Sequence, residues 1–303
     1  HRAVKAAVDF SRIHNVLILR TDHLGDLLLS TPLIRTLRQA LPGRRFTLVA
    51  SPANNGALTD WDGIDEIRLF DPQWPLLQKW RFARELGREQ WDLCLTLSPR
   101  TPSYILGWMS GAPIRTGIVY SRRALARLLS PLWLTHPVVM SVDELLAEKQ
   151  PAPHEVLQLA AIATALGLPE TEPGVLEIAL NPADVLWARQ QLGQKPLTLV
   201  GIHGAGKWLS QGWTAADFLA LVRSVLSGCT DANLPPAKLL LTFGPGDSEL
   251  AAAVTQALAL QADPEIILPG PLSIPRWAAF ASLCDVIITP DTGSLHLAVA
   301  VNR

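Results

Sequence analysis

Residues 20–26 bring an arginine, a histidine and two carboxylates into seven consecutive positions: Arg20, Asp22, His23 and Asp26. They follow the apolar run 16–19, which has the composition of a buried parallel strand. In open α/β sheets, ligands bind beyond the carboxyl ends of the strands. A carboxylate placed there can serve as a general base toward a bound hydroxyl. Asp22 or Asp26 can equally be an ordinary cap of the next helix, and both interpretations stay open at this point.

A glycine-rich segment in the second half of the chain is suited to binding phosphate. It consists of small residues followed by a lysine: Gly204, Ala205, Gly206 and Lys207. Small residues let backbone N–H groups approach phosphate oxygens, and the lysine adds positive charge. Residues 201–207 also match the start of the Walker A pattern, but Trp208 stands where Ser or Thr must reach Mg²⁺. The segment therefore favours a phosphate-binding loop of another kind over a Walker ATPase.

A third loop follows the predicted strand 285–289 and carries four notable residues: Asp291, Thr292, Gly293 and His296. Gly293 opens a predicted helix, and helix N-termini attract anions. Asp291 and Thr292 are also typical of ordinary helix caps.

A fourth loop, at 244–249, offers Gly244, Asp247 and Glu249. The two carboxylates are suited to holding ribose hydroxyls, although helix capping explains Asp247 equally well.

The elements that must position these loops alternate between strands and helices. In the first half, strands are predicted at 16–19, 46–50, 67–70 and 93–97, and a helix at 27–41 is expected to kink or restart at Pro32. In the second half, strands are predicted at 197–202, 238–243, 265–268 and 285–289. This alternation predicts an α/β fold of two Rossmann-like halves, 1–167 and 197–303, joined by a Pro- and Gly-containing hinge at 168–196.

Length and composition are consistent with two folded domains. The chain has 303 residues, 49% of them hydrophobic and 17% charged, with a mean hydropathy of +0.22, which excludes a disordered chain. The net charge of −1 hides an asymmetry. Residues 1–150 carry 19 basic and 14 acidic residues, a net +5, whereas residues 151–303 carry 7 and 13, a net −6. Such a contrast suggests that the two halves meet different partners.

Several classes of protein are disfavoured by the sequence. It contains no run of about 18 apolar residues that would span a membrane, and its start lacks the pattern of a secretory signal. Three distant cysteines set in apolar segments predict buried, reduced thiols and a cytoplasmic protein. No motif has metal-ligand spacing, and neither half has the basic, aromatic pattern of a nucleic-acid binder. No GxGxxG follows the first strand, which argues against a dehydrogenase.

Four segments, in this order, resemble glycosyltransferase family 9, the bacterial ADP-heptose:lipopolysaccharide heptosyltransferases. The first is the strand and Arg20 followed by Leu-Gly-Asp at 24–26, and the second is Thr-Pro-Leu-Ile-Arg at 31–35. The third is Gly-Ala-Pro-Ile-Arg-Thr-Gly at 111–117, and the fourth is Asp-Thr-Gly at 291–293 followed by His296. The likeness extends over essentially the whole chain.

The resemblance implies a GT-B fold, in which two Rossmann-like domains with parallel sheets face each other across a cleft. The N-terminal domain would bind the acceptor and the C-terminal domain the nucleotide-sugar. It implies an inverting transfer without a metal or a cofactor, an ADP-sugar being the donor substrate, with Asp26 as the general base. Acceptor-binding residues are then expected at Arg20, His23, Arg115, Arg122 and Arg123. Donor-binding residues are expected at Gly204, Ala205, Gly206, Lys207, Gly244, Asp247, Glu249, Asp291, Thr292, Gly293 and His296.

The same resemblance implies the partners and their location. The acceptor would be a phosphorylated glycolipid at a membrane surface, which suits the basic first half and in particular Arg100 and Arg127 beside the arginines above. No nucleic-acid partner is expected, and the protein is expected to be a cytoplasmic monomer, with a peripheral position on the inner face of the inner membrane as an alternative.

Two departures from the family pattern open a second hypothesis. Gln211 stands where the family usually has a phosphate-binding lysine, so Lys207 would have to replace it. The chain also stops just after the fourth segment, where a family member is expected to continue. An inactive nucleotide-sugar-binding or scaffold protein of the same fold is therefore the alternative to an enzyme.

Overall fold

The computed structural model describes residues 8–170, 172, 174–193, 198–204, 206–231, 237–259 and 265–301, without the side chains of 229–231 and 259. The chain divides into two compact units, His1–Glu177 and Ile178–Arg303. The boundary falls inside the segment 168–196 that the sequence predicts as a hinge.

The described part of the first unit holds six strands and seven α-helices. The strands are β1 (Asn15–Arg20), β2 (Arg45–Ala50), β3 (Glu66–Leu69), β4 (Leu93–Thr96), β5 (Ile114–Tyr120) and β6 (His136–Met140). The helices are α1 (Leu24–Leu29), α2 (Thr31–Ala40), α3 (Leu76–Leu86), α4 (Thr101–Met109), α5 (Ala124–Trp133), α6 (Val142–Ala147) and α7 (Glu155–Leu166). Short 3₁₀ turns lie at Phe10–Arg12 and Asn55–Ala57.

The six strands form one parallel sheet in the order β3-β2-β1-β4-β5-β6. The chain reverses its direction of travel across the sheet between β1 and β4, and open sheets of this kind bind ligands at that switch point. Right-handed crossovers place α1 and α2 on one face of the sheet and α3, α4 and α5 on the other. The carboxyl end of β1, where residues 20–26 begin, therefore lies at the position favoured for a site.

The second unit repeats the same principle with a smaller sheet. Its described strands are β7 (Thr198–Gly204), β8 (Ala237–Phe243), β9 (Ile266–Ile267) and β10 (Val286–Ile288), all parallel in the order β10-β7-β8-β9. Its described helices are α8 (Pro182–Leu192), α9 (Gly206–Ser210), α10 (Ala215–Asp231), α11 (Ser248–Ala259), α12 (Ile274–Leu283) and α13 (Gly293–Ala300). The switch point here lies between β7 and β10, where the glycine-rich segment and the Asp-Thr-Gly loop follow their strands.

Local sequence explains where several elements begin. The predicted helix 27–41 is two helices, because Ser30 ends α1 and Pro32 lies in the first turn of α2, where its missing N–H costs nothing. Glu177, the last residue of the first unit, pairs with Arg35 of α2 and accepts a hydrogen bond from Trp61 Nε1 at 3.0 Å. These contacts hold the end of the unit against α2.

The predicted hinge also contains a helix of the second unit. Ala188 and Leu192 of α8 are buried against Phe280 of α12 and the sheet. The sequence reading of 168–196 as a linker does not include this helix, because its apolar side chains are few and contact a partner about ninety positions away.

The core contains the cysteines that the structure describes. Cys94 and Cys284 are buried and not disulfide-bonded, as the sequence predicts, and burial raises the pKa of the Cys94 thiol to about 12. The side chain of Cys229 lies outside the described residues. Across the part of the chain that the structure describes, no helix is both long and apolar enough to cross a membrane.

Candidate functional site

The first candidate site is organised by Arg20 at the carboxyl end of β1. Its side chain is 1% exposed. The Nε group donates to the Asp26 carbonyl at 3.0 Å and lies 3.3 Å from Asp22 Oδ1. The remaining guanidinium N–H groups donate to the Leu97 carbonyl and to the Glu155 carboxylate. A buried arginine with these partners fixes the loop that follows β1.

This burial corrects the expected role of Arg20. A guanidinium with 1% exposure has no surface left for an acceptor, so Arg20 is a positioning residue for the carboxylates around it. Its partner Glu155 was not found by sequence reasoning. The residue is 135 positions away and begins α7 on an unrelated part of the chain, so no local pattern links the two.

Asp26 is the more accessible of the two aspartates, Asp22 and Asp26, that lie beside Arg20. Its side chain is 30% exposed, and its Oδ1 lies 3.9 Å from Arg20 Nη2. Its Oδ2 accepts a hydrogen bond from the His23 backbone N–H at 3.4 Å, so it also caps α1. The two interpretations of the sequence are therefore compatible, because one carboxylate oxygen can cap the helix while the group remains open to a ligand.

Asp22 is buried beside Arg20 and behaves differently. Burial raises the pKa of its carboxyl, with the nearby Arg20 opposing the rise and the Asp26 charge adding to it. Its Oδ1 accepts no hydrogen bond from the described residues. The environments of Asp22 and Asp26 thus differ, because the Asp26 side chain is 30% exposed and that of Asp22 only 7%.

The other residues predicted for the acceptor are distributed between this edge and its surroundings. His23 is exposed at the start of α1. Arg115 is half-buried, and its guanidinium donates to the carbonyls of Trp133 and Ala112. Arg123 is exposed, with its guanidinium donating to the Pro99 carbonyl.

Arg122 is exposed as well, and no hydrogen bond of its side chain occurs among the described residues. Arg115 has a structural role that the motif alone did not indicate, because its donors are already engaged with the backbone.

In the second unit, Lys207 joins the two loops that the sequence singled out. Lys207 Nζ donates to the Asp291 carbonyl at 2.5 Å and lies 3.3 Å from Asp291 Oδ2. The glycine-rich segment after β7 and the Asp-Thr-Gly loop after β10 are therefore in contact at the switch point of the sheet. Both side chains are solvent-accessible, so the lysine is available to an anion bound there.

Asp247 joins the glycine-rich segment to the fourth loop. Its carboxylate accepts hydrogen bonds from the Gly206 N–H and, at 3.0 Å, from the Gly244 N–H. A Cβ at Gly244 would lie 2.5 Å from Asp247 Oδ2, and one at Gly206 would lie 2.9 Å from Oδ1. A larger residue at either position would therefore push the Asp247 carboxylate away from these N–H groups. Asp247 is occupied by backbone N–H groups, whereas Glu249 is exposed.

The Asp-Thr-Gly loop presents the N-terminus of α13. Thr292 is the N-cap residue without a side-chain cap bond; its hydroxyl instead pairs with Ser294 Oγ at 2.7 Å. Gly293 begins the helix, and His296 is half-buried within it. First-turn N–H groups of a helix have no intrahelical acceptor, so they can bind an anion.

Sequence reasoning missed a buried cluster of hydrogen-bonded side chains at the ends of β7 and β8. His203 Nδ1 accepts a hydrogen bond from Trp277 Nε1 at 3.1 Å, and Thr242 Oγ1 lies 2.9 Å from both atoms. Burial lowers the pKa of His203 to about 4. A neutral imidazole at the end of β7 thus supports the glycine-rich segment, and its only sequence signal was its place just before Gly204.

Ala205 lies outside the described residues. Gln211, at the position of the missing lysine, is exposed in the turn after α9. Among the described residues, no group of three or more His, Cys, Asp or Glu side chains could hold a metal ion.

Two α/β units, each with a parallel sheet and polar loops at the carboxyl edge of that sheet, form a fold of the GT-B class. Solved structures with this fold match 95% of the chain. They include the glycosyl transferase family 9 protein of Veillonella parvula (20% identity, 78% of that chain, TM-score 0.75). The E. coli ADP-heptose lps heptosyltransferase II also matches, with 17% identity, 82% of that chain covered and a TM-score of 0.73. E. coli heptosyltransferase WaaC with ADP matches with 18% identity, 85% of that chain covered and a TM-score of 0.67.

The model of glycosyltransferase family 9 (heptosyltransferase) matches residues 79–303. The chain belongs to this family, and it is a glycosyltransferase. No curated protein matches it in sequence.

Proposed function

We propose that this protein transfers a heptose, or a similar sugar, from an ADP-sugar to a lipopolysaccharide-core or related surface-glycan acceptor, with inversion at the anomeric carbon and without a metal. The observation that carries the proposal is the partly exposed Asp26 carboxylate, held at the carboxyl end of β1 by the buried Arg20. Family membership supplies the class of reaction. The structure of WaaC with ADP supports a nucleoside diphosphate as the leaving group.

In the proposed reaction, Asp26 acts as the general base. The acceptor hydroxyl oxygen attacks the anomeric carbon, its proton passes to the Asp26 carboxylate, and the bond from the anomeric carbon to the ADP oxygen breaks. General-base catalysis of this kind contributes roughly 10²–10⁴-fold to a rate. Asp22 suits this role less well because its side chain is only 7% exposed, against 30% for Asp26.

The leaving ADP carries the charge that develops in this step. Lys207 and the N-terminus of α13 are the groups suited to stabilise it, because fixed donors aimed at a developing charge need no reorganisation. Lys207 contacts Asp291, and a bound pyrophosphate would compete with that carboxylate for the ammonium group. We therefore assign to Lys207 the role of the lysine that Gln211 replaces.

A nucleotide and transfer series tests this proposal. The thermal midpoint is measured with ADP, UDP and GDP, and transfer from the ADP-sugar to a lipopolysaccharide-core acceptor is then assayed. Ligands that bind only the folded state raise the midpoint, and a concentration of about 100 times Kd adds about 2.7 kcal/mol. We expect stabilisation by ADP and transfer without added metal. Stabilisation by UDP alone, or transfer that stops with a chelator, would contradict the proposal.

The alternative is an inactive nucleotide-sugar-binding protein of the same fold, favoured by Gln211 and by the engagement of Lys207 with Asp291. It predicts stabilisation by ADP with no transfer to any acceptor tested.

A further inference from the structure

Helix α5 carries a row of large apolar side chains on its outer face. Leu125, Leu128 and Leu132 are 69%, 74% and 63% exposed. They are spaced three and four residues apart, so they share one face of the helix. An ordinary surface helix of a folded protein turns such a face toward the core, which means that these leucines are placed for contact with something outside the unit.

The two helices beside α5 extend this apolar surface. Ile105 and Trp108 of α4 are exposed and three residues apart. Helix α4 packs on α5, where the Tyr104 ring stacks on Trp133 with the ring centroids 6.1 Å apart. Helix α3 packs on the other side of α4.

The α3 helix adds exposed apolar groups at its N-terminal end: Leu76, Leu77 and Trp80. We name the exposed apolar side chains of α3, α4 and α5 the outer helical face. All three helices cover the same side of the six-stranded sheet, so these side chains belong to one surface of the first unit.

The charge around the α4 and α5 part of the outer helical face has one sign. Residues 93–142 contain five arginines and no Asp or Glu. Arg100, Arg122 and Arg127 are exposed and form no ion pair with any carboxylate in the described part of the chain. Arg123 donates to the Pro99 carbonyl and thereby lies beside Arg100 at the N-terminal ends of α4 and α5.

This combination indicates the chemistry of the occupant. A second copy of the chain seated symmetrically on the same face would bring its arginines against the same arginines. An anionic bilayer, in contrast, offers phosphates to the arginines and an apolar layer to the leucines and tryptophans. Helices with Leu and Trp on one face and Arg at its border bind at the boundary between headgroups and acyl chains.

We propose that the outer helical face binds the surface of an anionic phospholipid membrane. Leu125, Leu128 and Trp108 enter the boundary between headgroups and acyl chains, and Arg100, Arg122 and Arg127 contact lipid phosphates. The statement that this bilayer carries the acceptor rests on the proposed function. Membrane binding itself does not rest on it, because binding requires neither donor nor acceptor.

Vesicle co-sedimentation of the full chain tests the proposal. We expect binding to vesicles of phosphatidylcholine and phosphatidylglycerol, weak binding to phosphatidylcholine alone, and release as salt screens the arginines. The double variant Leu125→Gln/Leu128→Gln should bind the anionic vesicles at least about tenfold more weakly, since each leucine loses apolar burial. The matched variant Leu146→Gln/Leu186→Gln, which changes two exposed leucines on α6 and α8, should bind like wild type.

Stabilisation by ADP, measured on the same samples, shows whether each variant is folded and still binds nucleotide. The proposal is overturned if the wild type does not bind anionic vesicles although ADP still stabilises it. It is also overturned if the two double variants bind anionic vesicles equally well. A third result would also overturn it: the wild type sediments as a dimer and does not bind vesicles, and Leu125→Gln/Leu128→Gln converts that dimer to monomers. The outer helical face would then be an interface between two copies of the chain. Failure of ADP binding in wild type would instead count against the proposed function.

Discussion

Arg20 shows how one buried side chain determines the roles of its neighbours. It approaches both Asp22 and Asp26, but burial raises the pKa of Asp22, while the Asp26 side chain is 30% exposed. Two carboxylates four positions apart therefore have different chemistry because of where the loop places them. The same sequence pattern predicted both as candidates, and only their environments separate them.

His203 gives a prediction for the pH dependence of stability. Its pKa falls from 6.5 in the unfolded chain to about 4 in the folded chain because it is buried. As the pH drops from 7 toward 4, the unfolded state therefore takes up a proton that the folded state does not, and stability is lost. Protonation would also remove the acceptor of the Trp277 hydrogen bond.

A shift of this size corresponds to about 3 kcal/mol between pH 7 and pH 4. Urea unfolding at a series of pH values should show the loss in wild type and a smaller loss in His203→Gln. The control His14→Gln, a change at an exposed histidine of the first unit, should follow wild type. Equal slopes for wild type and His203→Gln would contradict this role for the buried imidazole.

At the scale of elements, the candidate site of the second unit is held together by contacts between loops. Asp247 ties the loop after β8 to the start of α9, and Lys207 ties α9 to the loop before α13. The loops that the sequence singled out separately as candidates for donor binding are thereby linked into one arrangement.

Lys207→Gln is expected to weaken ADP binding by about 10- to 100-fold. The change removes one charged hydrogen-bond donor, and hydrogen bonds to charged groups contribute about 1.5–3 kcal/mol. Isothermal titration with ADP measures the effect. Lys238→Gln, on the strand β8, removes the same charge from the same unit and should leave the affinity unchanged. If both variants bind ADP like wild type, Lys207 does not replace the lysine lost at Gln211.

The elements were predictable to the extent that their signals are local. The apolar runs that form β1, β2, β4, β7 and β8 are visible in the sequence, and so is the break at Pro32. The sequence reading did not identify β5 and β6 as strands. The strand β6 is short and half-buried, and β5 carries Arg115 and Gly117 within it, so neither has a continuous apolar run.

The candidate site was predictable in its loops but not in its contacts. The positions 20–26, 204–207 and 291–296 were found because they end strands. Glu155, Thr242 and Trp277 were missed, since their partners lie between 35 and 135 positions away in sequence. Only the order of strands in the sheets brings them together.

On the scale of the whole molecule, the charge asymmetry of the two sequence halves does not coincide with the division into units. Residues 1–177 carry 19 basic and 18 acidic residues, a net +1, and residues 178–303 carry 7 and 9, a net −2, because four acidic residues of the second half lie between 155 and 177. Neither unit has a strong net charge, so a pyrophosphate bound by the second unit would be attracted by local groups, namely Lys207 and the N-terminus of α13.

Hydrogen exchange with and without ADP tests whether the second unit binds the donor. We expect ADP to slow exchange at residues 206–207 and 291–296 and to leave 20–26 unchanged, because ligand binding protects the amides that it orders. Wild type with UDP is the control for nucleotide identity. Protection confined to the first unit would contradict the assignment of the donor to the second.

The central claim, that Asp26 is the base of a glycosyl transfer, is tested most directly by the single-turnover transfer rate of Asp26→Asn measured together with its ADP affinity. We predict a rate lower by roughly 10²–10⁴-fold with an unchanged ADP affinity, because the amide keeps the shape of the side chain but cannot accept the proton. Glu144→Gln, at an exposed carboxylate of α6, should transfer like wild type. An Asp26→Asn enzyme that transfers sugar at the wild-type rate would contradict the account.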